Sequence, residues 1–184
     1  MPEIIPTQGV HHITLIGADR QSTIGFWEGV LGMPFLFEQP NLDNPDDGHL
    51  YFDPGDGRLI TIFTSESRKP TDGKAPQGLG AVHHIAFEVS AAIYEELTER
   101  LEAHGISCSL KDRGFMNSCY FKDPLGLTIE LASYKFVPPA GHSASSVLHH
   151  AHLERVRSGD DAIATKHVAA ALTRISENRT SLSD

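Results

Sequence analysis

The sequence is short of the features that mark several protein classes. Only two of its 184 residues are cysteine, Cys108 and Cys119, too few for a disulfide framework and expected to remain free thiols. No apolar run approaches the roughly 20 residues needed to span a bilayer. Basic residues are scarce, with 15 Lys and Arg against 24 Asp and Glu and a net charge of −9. Without a basic stripe to release counterions, nucleic acid is not expected as a partner. The start, Met1-Pro2-Glu3-Ile4-Ile5-Pro6, lacks the basic stretch and long apolar stretch of a signal peptide. A cytoplasmic location without membrane contact is therefore expected.

What the chain does have is a short stretch that occurs twice, Gly9-Val10-His11-His12-Ile13-Thr14-Leu15 and Ala81-Val82-His83-His84-Ile85-Ala86-Phe87, offset by 72 residues throughout. Each copy alternates apolar residues around a His-His pair and reads as a buried or half-buried strand. Successive strand residues point to opposite faces, so His12 and His84 take equivalent positions on two related sheets, while His11 and His83 face elsewhere.

The rest of each module follows the same order. Asp19 is the expected N-cap of a helix over Arg20 to Leu31, with Gly32 beyond its end and Ile24, Phe26, Trp27, Val30 and Leu31 on its apolar face. Strands are expected at Met33 to Phe37, His49 to Phe52 and Arg58 to Thr64, with a loop over Glu38 to Gly48 and a turn at Asp53-Pro54-Gly55-Asp56-Gly57. Residues 65–80 are polar and rich in Pro, Gly and Lys, as in a linker. The second module has a strand from Ala81 to Val89 and a helix from Ala91 to His104. Strands follow near Cys108 to Arg113, Ser118 to Lys122 and Leu127 to Ala132, the last preceded by an Asp123-Pro124-Leu125-Gly126 turn. The organisation expected is α+β: two tandem β-α-β-β-β modules (7–64 and 81–134), joined by the 65–80 linker and forming a cupped mixed sheet around a metal cavity, plus a C-terminal helical extension (135–184). That extension contains two helical segments, Ser145 to Arg157 and Ala162 to Ser176, read as an αα-hairpin with a frayed tail, packed on the modules or on a partner copy. His149 and His150 are adjacent in sequence and do not share a helix face, so His142, His149, His150 and His152 are not read as a metal site.

The chemistry centres on three residues. A mononuclear Fe(II) or Mn(II) site suits two imidazoles and a carboxylate, which leave positions open for substrate and O₂. His12 and His84 supply the imidazoles. Thr128-Ile129-Glu130-Leu131-Ala132 places a single acid inside an apolar strand, where a lone carboxylate calls for a cation. Singly, each residue would pass for a packed core or edge side chain; the repeat-equivalent histidines and the acid together point to a metal.

On these residues the chain resembles the vicinal oxygen chelate superfamily, which includes glyoxalase I, fosfomycin-resistance transferases, bleomycin-binding proteins and extradiol dioxygenases. The resemblance covers Thr7 to Ser133 and not the C-terminal helices. Aligning Gly57 with Gly126 sets Thr61 opposite Glu130, so the strand Leu59-Ile60-Thr61-Ile62-Phe63 lacks the acid of a four-ligand glyoxalase. The likeness is more pointed to the dioxygenases that cleave hydroquinones and catechols. His11-His12-Ile13-Thr14, then His49-Leu50-Tyr51-Phe52, then Arg113, Tyr120 and Glu130 in order match that subgroup.

The resemblance implies a non-haem Fe(II) enzyme, with Mn(II) as the other candidate metal, that opens an aromatic diol with O₂. His12, His84 and Glu130 would be its ligands and His11, Arg113 and Tyr120 its catalytic groups. His49 is assigned only to the pocket wall and Cys119 to packing. The alternatives that stay open are a Mn(II)-dependent fosfomycin-resistance transferase, a glyoxalase-like lyase and a metal-free binding protein of the bleomycin-resistance kind. The C-terminal helices offer a surface for a homodimer.

Overall fold

The computed structural model describes residues 4–180. Its backbone contacts group into two units, one running to His83 and taking in Lys122–Thr128, the other formed by His84–Phe121 and the chain from Ile129 onward.

The first unit contains β1 (His12–Ile16), α1 (Arg20–Trp27), β2 (Phe35–Pro40), β3 (Gly48–Phe52) and β4 (Leu59–Thr64). The strands form a mixed sheet of order β1-β4-β3-β2, parallel between β1 and β4 and antiparallel elsewhere. Period-two alternation divides its side chains cleanly. Leu50, Phe52, Ile60 and Ile62 are buried on the face that receives Phe26 and Trp27 of α1, with the Trp27 and Phe52 rings 6.4 Å apart. His12, Thr14, His49, Tyr51, Thr61 and Phe63 occupy the opposite face, since the register pairs Thr14 with Thr61, Tyr51 with Thr61 and His49 with Phe63.

Local chemistry sets the element boundaries. Asp19 caps α1 by accepting from the Ser22 N–H at 2.9 Å, and that bond holds its carboxyl below the usual aspartate range. The helix stops at Trp27 rather than continuing to Leu31. Past it, the N–H groups of Gly29 and Leu31 reach five residues back, to Ile24 and Phe26, and the chain winds out to Gly32 at φ 68°. Gly25 and Gly29, four apart, give the helix little reason to persist. The expected loop at Glu38 to Gly48 is shorter, because Glu38, Gln39 and Pro40 extend β2 opposite Leu50, His49 and Gly48. Proline ends an edge strand at no loss, having no N–H to leave unpaired.

The second unit repeats the order with β5 (His84–Glu88), α2 (Ala91–Ala103), β6 (Ser109–Asp112), β7 (Met116–Lys122) and β8 (Thr128–Tyr134), in a sheet of order β5-β8-β7-β6. The repeat holds at the level of single bonds. Gly17 N–H donates to the Phe63 carbonyl at 2.8 Å, and Val89 N–H to the Ala132 carbonyl at 2.9 Å. Those pairs keep the offset between the two histidine strands and the alignment of Thr61 with Glu130. Residues 65–80 do not run free: Thr71 N–H donates to the Pro124 carbonyl and Ala75 N–H to that of Gly126, whose φ of 82° and contact with the Gly73 carbonyl leave no room for a Cβ.

Beyond the sheets, α3 (Ala144–Ser158) and α4 (Thr165–Thr180) form a hairpin on the second unit. Val147, Ala151, Val168, Ala171 and Ile175 are buried between them and packed against Phe115 and Phe136. The expected frayed tail falls partly beyond Thr180, outside the described residues. Asp160 ties the hairpin turn, accepting from Lys166 Nζ at 2.6 Å, from the Ser158 hydroxyl at 2.7 Å and from His167 Nε2 at 2.8 Å. Buried His167 accepts the Ala164 N–H on Nδ1, so its proton sits on Nε2. The trio is therefore a structural knot, with no imidazole nitrogen left to take a serine proton. Among the described residues, no helix is long and apolar enough to cross a membrane.

The bonds from Lys166, then Ser158 and His167, hold the Asp160 carboxyl well below the usual aspartate range. A depressed folded pKa stabilises the fold above the unfolded value of about 4 and is lost as pH falls through the folded value. Asp160→Asn should therefore lower the thermal midpoint at pH 7, with the difference from wild type shrinking below about pH 4. Thermal unfolding of both proteins from pH 3 to 7 checks this; equal midpoints at pH 7 would contradict it.

Candidate metal centre

Glu130 lies in the middle of β8, between Ile129 and Leu131, whose side chains are buried on the opposite face. The carboxylate is itself only 2% exposed. One oxygen, Oε2, meets His84 Nε2 at 3.0 Å; the other, Oε1, is shielded from water and has no hydrogen-bond partner. Leaving such a group unsatisfied costs about 1–3 kcal/mol or more. His84 opens β5 and is 36% exposed, so the pair sits with one end buried and one end accessible.

Tyr120 and Arg113 complete this neighbourhood. The Phe115 carbonyl accepts from the Lys135 N–H, and five residues inward on each antiparallel strand Tyr120 stands opposite Glu130. The Tyr120 ring lies edge-on to His84 at 6.0 Å. Arg113 donates from Nη2 to the Tyr120 hydroxyl at 3.2 Å, with its guanidinium 5.5 Å from the ring centre. The bond to Tyr120, with a smaller contribution from the Glu130 charge, pushes the guanidinium pKa up. The second unit thus brings together four of the residues singled out from the sequence: His84, Glu130, Tyr120 and Arg113.

The first unit holds His11 and His12. His11 precedes β1, so strand alternation does not separate it from its neighbour as expected. Instead the two imidazoles meet, Nδ1 to Nδ1 at 2.9 Å, their rings nearly perpendicular. At the position equivalent to Glu130, Thr61 bonds Thr14 hydroxyl to hydroxyl at 2.8 Å. The first sheet therefore satisfies internally the position that the second leaves open. Cys119 and Cys108 are free thiols; burial, followed by the nearness of Cys108, pushes the Cys119 thiol up to about 12, which removes it from nucleophilic chemistry at neutral pH.

One cluster escaped sequence reasoning. Gln39 Nε2 donates to the Tyr51 hydroxyl at 2.8 Å, and that hydroxyl lies 2.9 Å from His49 Nδ1. His49 appeared in the sequence only as a pocket wall, and Gln39 fell within the expected loop. The available signal was the alternation Phe37, Gln39 across from Tyr51, His49.

Within either unit, no three His, Cys, Asp or Glu side chains among the described residues are gathered closely enough to hold a metal. The half-set in the second unit nonetheless fits one. A buried carboxylate with an oxygen lacking any partner, beside an accessible imidazole, is the oxygen and nitrogen donor chemistry that Fe(II) or Mn(II) takes.

Two copies of β-α-β-β-β, each a mixed four-stranded sheet backed by a helix, define the vicinal oxygen chelate class of fold. Residues 9–131 match the Glyoxalase/Bleomycin resistance protein/Dioxygenase superfamily, and the chain belongs to it. It is 32% identical over 110 residues to the Bacillus subtilis (strain 168) protein named "Putative ring-cleaving dioxygenase MhqE", covering 57% of this chain and 34% of that one. To MhqO of the same organism, which carries the same description, it is 30% identical over 129 residues, 68% of this chain and 40% of the relative. The chain thus spans well under half the length of these two relatives. Glutathione transferase FosA of Serratia marcescens is 29% identical over 67% of this chain and 79% of its own. A solved Bacillus subtilis structure described as a putative dioxygenase superposes with a TM-score of 0.60 at 31% identity, over 69% of this chain and 41% of that one.

Replacing the carboxylate by an apolar group of similar size tests what it is for. Glu130→Leu, free of metal, should be at least as stable as wild type, by up to about 2 kcal/mol in urea unfolding, because the orphaned oxygen goes with it. Fe(II) or Mn(II) should raise the thermal midpoint of the wild type and leave that of the same variant unchanged. A loss of stability of about 2 kcal/mol or more in the metal-free state would make Glu130 a structural residue.

Proposed function

We propose that the protein is a non-haem Fe(II)-dependent ring-cleaving dioxygenase acting on a catechol- or hydroquinone-like diol. The observation that carries this is the buried Glu130 oxygen without a partner, beside His84 and flanked by Tyr120 and Arg113. The proposed ligands are His84, Glu130 and His12, the last on the strength of its repeat equivalence to His84. Fe(II) held by such a set would bring diol and O₂ into neighbouring coordination positions and let electron density pass between them; Mn(II) is the alternative metal. The relatives named as ring-cleaving dioxygenases agree with this reaction class.

The protein's own groups then have defined tasks. Arg113 donates to the Tyr120 oxygen, so the Tyr120 proton is left to donate to a substrate oxygen. The Arg113 charge, raised above its ordinary basicity, stays cationic and stabilises negative charge on the ring oxygens. With His12 ligating through Nε2, its Nδ1–H would donate to His11 Nδ1, so His11 would orient its neighbour and carry its own proton on Nε2, ready to donate to a substrate oxygen.

A second reading, a Mn(II)-dependent transferase of the fosfomycin-resistance type, is favoured by one observation: FosA matches over 79% of its own length. Thiol-dependent consumption of fosfomycin by the Mn(II)-loaded protein would support it. The glyoxalase alternative draws no support from the first sheet, where Thr61 is bonded to Thr14 in place of a fourth ligand.

Anaerobically purified protein reconstituted with Fe(II) should bind about one ion per chain and consume O₂ with a panel of catechols and hydroquinones. His84→Ala should lose both, whereas Arg113→Met should keep the metal and lose about 100-fold in turnover. Absence of diol-dependent O₂ uptake by the iron-loaded wild type would overturn the proposal.

A further inference from the structure

The Gln39, Tyr51 and His49 cluster has a direction. The Gln39 amide donates to the Tyr51 oxygen, and that hydroxyl lies 2.9 Å from His49 Nδ1, where a Tyr51 proton directed at the nitrogen gives the amide, the hydroxyl and Nδ1 each a partner. Burial, aided by the nearby His12, lowers the His49 pKa and keeps the ring neutral. A neutral ring that accepts on Nδ1 carries its proton on Nε2. That Nε2–H is shielded from water and has no acceptor. The ring itself is only half-buried and is fixed between Tyr51, at 4.3 Å between centres, and Phe63, at 4.5 Å, while Phe37 stacks on Tyr51 at 4.1 Å. All of these residues share the sheet face of His12.

We infer that His49 is a substrate-anchoring residue, whose Nε2–H donates to an oxygen of an aromatic ligand lying on the Phe37, Tyr51 and Phe63 shelf of the first sheet. A donor fixed in one tautomer and lacking an acceptor gains a full hydrogen bond once a small movement of its neighbours admits a ligand oxygen. The aromatic shelf selects a flat ring, and the unmet donor selects one bearing a hydroxyl or oxyanion. Gln39 and Tyr51 act through His49, by fixing which nitrogen carries the proton. In the ring-cleaving reading this ligand is the diol, and the assignment rests on that reading for its substrate.

Anaerobic binding of hydroquinone to the Fe(II)-loaded protein tests this, together with ¹⁵N-edited spectra of the His49 ring. The wild type should show the Nε2–H tautomer and a downfield move of that proton when hydroquinone is added. His49→Phe should bind hydroquinone about tenfold more weakly, the worth of one hydrogen bond, with unchanged iron content and fold. His49→Gln, which returns an N–H donor near the same place, should recover most of the affinity, and Tyr51→Phe should mix the tautomers. An Nδ1–H tautomer in the wild type, or equal affinity in His49→Phe, would overturn the His49 assignment and leave the dioxygenase reading standing. Failure of the wild type itself to bind hydroquinone or catechol would overturn both.

Discussion

The molecule is organised around a carboxylate placed where a carboxylate is expensive. Glu130 is in the centre of a sheet, within a strand whose opposite face is core, and only one of its two oxygens has a partner. Burial of a charge that is not fully compensated is tolerated where something outside the polypeptide completes it. The surroundings of Glu130 keep it so: Ile129 and Leu131 beside it in the strand are buried, Tyr120 stands opposite it, and Arg113 engages Tyr120 rather than neutralising the acid directly. His84, at the exposed end of β5, is the partner that remains reachable.

Duplication explains why this occurs once and not twice. The two modules keep the same strand order, with the first strand beside the last, and equivalent backbone bonds at Gly17 and Val89. They differ in what the equivalent positions carry. Thr61 and Thr14 satisfy each other in the first sheet, where the second has Glu130 and Ala86. The first sheet then develops a different face, aromatic and hydrogen-bonded, in which His49 is held by Tyr51 and Gln39. In our reading one scaffold thus presents a metal-binding face in one copy and a ring-binding face in the other, in keeping with the several chemistries that a single fold supports.

Much of this was legible in the sequence because it depends on local rules. The period-two pattern around each His-His pair, the Asp19 cap, the Asp-Pro-Gly turns and a lone acid in an apolar strand all carry their meaning within a few residues. The rest is decided by neighbours in space. The end of α1 at Trp27 depends on how the chain winds into Met33, and the extension of β2 through Pro40 depends on β3 lying alongside. Strand alternation begins only at His12, so it does not decide where His11 points, and the two rings meet. The His49 cluster needs three residues from two strands, one of them in a segment that composition alone marks as a loop.

The most direct test is to find the metal itself. Crystals grown with Fe(II) under anaerobic conditions, with data collected at the iron absorption edge, should show one anomalous peak bonded to both Glu130 and His84. Oε1 should then no longer be without a partner. A protein with no peak at that carboxylate, and with a protein donor or an ordered water on Oε1 instead, would contradict the account.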